Sequence, residues 1–129
     1  MRLMGLVWTK ALRRDVEAAV QQIIAAQSAG GGWAQEDWLA PDAYATGLSL
    51  YALHEAGVPA TDPVYKKGVA FLLKTQYPDG SWFVKTRSYP VQPYFESGYP
   101  FGHNQWISAA GASWASLAIA FTLPEAGRR

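Results

Sequence analysis

The chain has no cysteine among its 129 residues, which excludes disulfides, thiolate zinc sites and a cysteine nucleophile. Charge is scarce as well: Asp, Glu, Lys and Arg make up 16% of the residues, and eleven basic against ten acidic groups leave a formal net charge of +1. No Lys/Arg run exceeds a pair, so the electrostatic footprint of a nucleic-acid binder is missing and no such partner is expected. The opening Met1-Arg-Leu-Met-Gly-Leu-Val-Trp8 carries one positive charge and a short apolar stretch, below the roughly 7 to 15 residues of a signal-peptide core. The uncharged stretch 107–123 stops short of the about 20 residues that span a bilayer, and Ser108, Ser113, Ser116 and Thr122 interrupt it. A buried helix is expected there, not an integral membrane segment, in a protein that is cytoplasmic or membrane-peripheral.

Apolar material is abundant. Half the residues are hydrophobic and 14% are aromatic, enough to bury a core. The sequence also repeats itself. Gln27-Ser-Ala-Gly-Gly31-Gly-Trp33 and Gln76-Tyr-Pro-Asp-Gly80-Ser-Trp82 share the pattern Gln-x-x-x-Gly-x-Trp, with the tryptophans 82 − 33 = 49 residues apart. A period of that size signals an array of supersecondary units. Two units fall short of the about three that usually close a continuous core, so an open end is expected to meet either another copy or the missing remainder of a longer array.

Helical spacing runs through both units. Over 9–27, Leu12, Val16, Ala19, Val20, Ile23 and Ile24 form one apolar face opposite Arg13, Arg14, Glu17, Gln21 and Gln22, an amphipathic helix that Gly30 to Gly32 end. Asp42 suits the N-cap of a second helix over about 42–56, rich in small residues and stopped by Gly57 and Pro59. Asp62 with Pro63 marks the start of a third helix reaching Thr75. Tyr77-Pro78-Asp79-Gly80 has the chemistry of a tight turn. A last, alanine-rich helix occupies about 104–123. Nothing alternates at period two, so the expected fold is all-α: a single domain over 1–129, with unit 1 at about 9–57, unit 2 at about 62–123, and an aromatic- and proline-rich insertion at 83–104. Met1 to Trp8 reads as the end of a helix with no cap of its own.

Lys67-Gly68-Val-Ala-Phe71-Leu72-Leu73-Lys-Thr-Gln76-Tyr-Pro-Asp-Gly80-Ser-Trp82 resembles the QW motif of the squalene and oxidosqualene (terpenoid) cyclase superfamily, whose toroid is shared by protein prenyltransferase β subunits. The copy ending at Trp33 keeps the second half of that motif. The resemblance covers most of 16–123 and implies an α/α-toroid fragment of two helical hairpins, about four main helices, similar to a C-terminal part of such a cyclase. It also implies structural roles for Gln27, Gly31, Trp33, Gln76, Gly80 and Trp82, in which Gln and Trp tie neighbouring outer helices. It implies an apolar, isoprenoid-like ligand, with catalysis by this stretch alone in doubt.

The family's chemistry does not transfer residue by residue. The Asp-rich acid motif of class II cyclases has no counterpart in Gln35-Glu36-Asp37-Trp38 or around Asp42. The Asp, Cys and His zinc ligands of the prenyltransferases have none without cysteine and with His54 and His103 in different units, so neither a metal nor a cofactor is expected. Glu36, Asp37, Asp42, Glu96 and His103 are the candidate acids and bases, set against capping by Asp42 and plain solvation of the others. In the insertion, Arg87, Tyr94, Phe95 and Tyr99, with Trp106 just beyond it, are candidates for stacking an apolar ligand or stabilising a cation, set against a loop whose rings plug the end of the helical stack. His54 suits a helix C-terminus, and Ser108, Ser113 and Ser116 suit helix packing. Two rival readings accompany the cyclase-like one: a self-associating assembly module, and a small hydrolase using a carboxylate pair.

Overall fold

Asp62 illustrates how local chemistry sets the helix boundaries. Its carboxylate Oδ1 accepts from Val64 N at 2.9 Å, and Pro63 fills the first helical position, where its missing N–H costs nothing. The computed structural model describes residues 3–4, 13–36, 38–86 and 97–123. Among these it has four helices and no strand: α1 (Arg13–Ala26), α2 (Ala43–Glu55), α3 (Pro63–Thr75) and α4 (Gln105–Ala120), the last entered through a 3₁₀ turn at Gly102–Asn104. Leu3 and Met4 are also helical and buried.

The second helix is capped at both ends as its sequence anticipates. Asp42 Oδ1 accepts from Ala45 N at 2.8 Å. At the other end Gly57 adopts φ +94, Val58 N donates to Leu53 O at 2.9 Å and Gly57 N to His54 O at 3.0 Å. That crossed pair satisfies carbonyls the helix cannot reach itself. His54 then lays its ring on Phe121, with centroids 3.6 Å apart and planes 7° from parallel.

α1 and α3 are amphipathic, with Ala19 buried in the first and Tyr65, Gly68 and Leu72 in the second. α2 is apolar nearly all round and supplies Leu50 and Leu53 to the core, as expected of a helix flanked on several sides. It packs most extensively on α4 and next on α3. A Cβ at Gly47 would stand 2.6 Å from the backbone of Trp114 and Ala115, and one at Gly111 would stand 2.7 Å from Val84. The glycines therefore let two backbones meet where larger residues would hold them apart. Each fully buried leucine adds about 2 kcal/mol, and two of them, Leu50 and Leu53, lie on α2. The all-α fold expected from the sequence is the one observed.

Candidate functional site

The two Gln/Trp turns are built alike, atom by atom. Gly31 N donates to Ser28 O and Gly80 N to Tyr77 O, both at 2.9 Å. Ser28 N donates to Gly32 O at 2.9 Å and Tyr77 N to Ser81 O at 2.8 Å. Both glycines sit at positive φ, +96 and +89, the conformation a tight turn requires after its third residue. The glutamine amides reinforce this: Gln27 Nε2 donates to Gly31 O and Gln76 Nε2 to Gly80 O, each at 2.9 Å. The indoles reach backwards. Trp33 Nε1 donates to Ile23 O at 2.7 Å and Trp82 Nε1 to Leu72 O at 2.8 Å. Ile23 and Leu72 lie in the last turns of α1 and α3, whose carbonyls have no backbone partner within the helix, so each tryptophan closes the end of its own helix while its ring fills the core.

Beyond this shared frame the turns differ. Gln27 Nε2 also donates to Val64 O at 2.9 Å, joining the end of α1 to the start of α3. The backbone of Lys67 comes so close to Gly31 that a Cβ there would stand 2.3 Å from its carbonyl oxygen, and Phe71 covers Gly32. At Gly80 a Cβ would meet nothing nearer than Gln76 Nε2 at 3.9 Å. Asp79 turns inward to accept from Ser81 N at 2.9 Å and Ser81 Oγ at 2.6 Å. Those two donors hold its carboxyl below the usual carboxylate range.

A cleft of about 360 Å³ opens beside the second turn, lined by Ala40, Pro41, Asp42, Ala43, Phe71, Thr75, Trp82, Phe83 and Lys85. Its position follows from the fold: the loop after Trp33 brings Ala40 to Ala43 against α3, and the stretch after Trp82 brings Phe83 and Lys85 to the rim. Three aromatic residues, Phe71, Trp82 and Phe83, line it, with one carboxylate and one ammonium among the lining groups. Next to it, Phe101 gathers an aromatic cluster, its ring centroid 5.2 Å from Tyr77, 5.3 Å from Phe83 and 6.4 Å from Tyr99. Phe101 holds φ +88, an uncommon conformation for a residue with a bulky side chain. Burial lifts the Tyr99 hydroxyl above its ordinary pKa.

Of the sequence candidates, Asp42 lines the cleft but is engaged as the α2 cap. Glu36 is exposed in the preceding loop. His103 is exposed in the 3₁₀ turn and Trp106 is 57% exposed on α4, while Tyr99 belongs to the ring cluster. Asp37, Arg87, Tyr94, Phe95 and Glu96 lie outside the described residues. No group of three or more His, Asp or Glu among the described residues is placed to hold a metal ion.

Several residues that position the site carry no sequence signal of their own. Trp33 N donates to Thr46 Oγ1 at 2.9 Å, and the same hydroxyl donates to Trp33 O at 3.4 Å. Ser108 Oγ accepts from Val84 N at 2.8 Å and donates to Val84 O at 3.0 Å. Both hydroxyls are fourth in their helices, α2 and α4, and that shared placement is the one clue the sequence offers. Buried Gln105 accepts from Ser97 N and donates to Gly102 O at 2.8 Å, fixing the entrance to α4. Tyr65 OH donates to Ala118 O at 2.6 Å, and burial pushes that hydroxyl up to about 12.

No helix among the described residues is long and apolar enough to cross a membrane. No solved structure gives a significant match to the chain. A family model described as the squalene-hopene cyclase C-terminal domain matches residues 1–125. Helical units, paired Gln/Trp turns and a match over nearly the whole length agree, and the chain belongs to the squalene-hopene cyclase C-terminal domain family.

Proposed function

We propose that this domain forms part of the wall of an apolar, isoprenoid-binding cavity and orients its ligand there. The observation that carries this reading is the cleft at Phe71, Trp82 and Phe83. Its volume of about 360 Å³ lies at the lower end of the roughly 300 to 1,000 Å³ typical of small-molecule sites, suited to a short prenyl chain or one end of a long one. Ring faces in such a cleft attract positive charge by about 0.5 to 2 kcal/mol each, the kind of support a developing carbocation needs. Among the described carboxylate candidates, neither is free in the cleft to start a cyclisation. Asp42 already accepts the Ala45 N–H, and Glu36 stands in solvent.

Calorimetric titration with farnesol, using dodecanol as a straight-chain control, tests the proposal. We expect saturable binding that favours farnesol, weakened about tenfold by Phe83→Ala, the loss of about 1.4 kcal/mol, and unchanged by Trp106→Ala on the exposed side of α4. Equal affinity for both alcohols, or no effect of Phe83→Ala, would rule the cleft out as the ligand site.

A further inference from the structure

Phe101 holds a backbone conformation that suits glycine. Gly98 and Gly102 on either side of it adopt φ +85 and +53, as a residue without a Cβ does freely. Phe101 lies between them at φ +88 and ψ 21, left-handed angles that a bulky side chain resists. Such a conformation persists only where the surroundings over-determine it, and residues of this kind cluster at ligand sites. The surroundings here are specific. Buried Gln105 accepts from Ser97 N and donates to Gly102 O at 2.8 Å, so one side chain fastens both ends of the loop 97–102. Asn104 Oδ1 accepts from Thr86 N at 2.9 Å and ties the same loop to the stretch after Trp82, while Asn104 N donates to Phe101 O at 2.9 Å.

What Phe101 meets is one wall of the cleft, although it does not line the cleft itself. Its ring centroid stands 5.3 Å from that of Phe83 with the planes at 76°, and 5.2 Å from that of Tyr77 with the planes at 83°, the edge-to-face arrangement that aromatic rings favour. Phe83 lines the cleft while 41% exposed, and Phe101 is its one ring neighbour among the described residues. The other two rings of the cleft are fixed by other means. Phe71 sits on α3 against Gly32, and the Trp82 indole is bonded to Leu72 O. Phe83 has no hydrogen-bonding group and no helix of its own, so the packing of Phe101 is what fixes its ring.

We infer that Phe101 is a positioning residue for the cleft: its left-handed backbone, held by Gln105, sets the Phe83 wall and so limits the length of prenyl chain that fits. This role rests on the cleft being the ligand site. With the Phe101 ring gone, Phe83 can turn into the space left beside Tyr77, and the cleft extends past its present wall. Longer chains gain from that space, and a chain that already fits loses a contact.

Calorimetric titration of the full chain with farnesol and with geranylgeraniol, one isoprene unit longer, tests this role in three variants. Phe101→Ala and Phe101→Gly both remove the ring, but only glycine also relieves the backbone, so Phe101→Gly is expected to melt about 4 °C above Phe101→Ala. Both are expected to move the ratio of the two affinities about fivefold towards geranylgeraniol, by the same factor despite their different stabilities. Phe101→Tyr keeps a ring and is expected to keep the wild-type ratio. If the ratio instead follows the melting temperature, with Phe101→Gly close to wild type, Phe101 serves the fold alone and the positioning role is overturned. It is overturned as well if the wild type binds farnesol and neither ring deletion moves the ratio, an outcome that leaves the cleft reading intact. A wild type that binds neither alcohol overturns the cleft reading and the positioning role with it.

Discussion

The turn at Gln27–Trp33 and the turn at Gln76–Trp82 share a hydrogen-bond frame, a positive-φ glycine and an indole that closes the helix behind it. One is roofed by the next helix and the other faces outward. The frame therefore arises from local sequence and does not need the roof: Gln, Gly and Trp satisfy the helix end by themselves, and the neighbouring helix adds to a turn already formed. In a repeat array this separates two roles that are usually merged, making a unit and joining units.

The sharpest way to break this comparison is at the glycines. Gly31→Ala and Gly80→Ala both force an L-residue to positive φ, at about 1 kcal/mol. Only Gly31→Ala also drives a Cβ to 2.3 Å from the Lys67 carbonyl oxygen, a backbone clash that no rotamer relieves. We expect urea unfolding to show a loss of about 3 kcal/mol or more for Gly31→Ala and about 1 kcal/mol for Gly80→Ala. Equal losses would mean that the roof contributes nothing.

A smaller effect separates the units by pH. Position 65 in unit 2 is a buried tyrosine, whereas its counterpart in unit 1, at 65 − 49 = 16, is Val16. The Tyr65 hydroxyl is pushed up to about 12 from an ordinary 10.0, so the unfolded chain loses that proton first as pH rises. Stability contributed by the neutral phenol is complete below pH 10 and declines by up to about 2 kcal/mol as pH climbs from 10 to 12. Alkaline denaturation should show this decline in the wild type and lose most of it in Tyr65→Phe. The smallest contrast is at the glutamines. Gln27→Ala removes two half-buried hydrogen bonds and is expected to cost about 1 to 2 kcal/mol, against about 0.5 kcal/mol or less for exposed Gln76→Ala. Thermal unfolding measures both.

What the sequence made legible was local. Asp42, Asp62 with Pro63, and Gly57 set helix ends through contacts within a few residues: α2 begins and stops, and α3 begins, where those residues place them. The Gln-x-x-x-Gly-x-Trp pattern marked both turns because its bonds span ten residues at most, apart from the Gln27 reach to Val64 and the Trp33 pairing with Thr46. The cleft was hidden because its walls come from three separated stretches, around Ala40, Phe71 and Phe83. Thr46 and Ser108 were obscure for a related reason. A hydroxyl in a small-residue helix looks like packing until the backbone it bridges, 13 or 24 residues away, is in place. Asp42 was legible as a cap, and the same residue lines the cleft.

The indoles of Trp33 and Trp82 have one more consequence. Each is nearly excluded from water, at 2% and 3% exposure, while Trp38 and Trp106 stand at 80% and 57%. Each buried ring also spends its polar atom on the last turn of its own outer helix. The molecule thus holds an optical reporter in each unit: with Trp33→Phe or Trp82→Phe in turn, the emission that shifts to the red on partial denaturation would tell which half of the array lets go first.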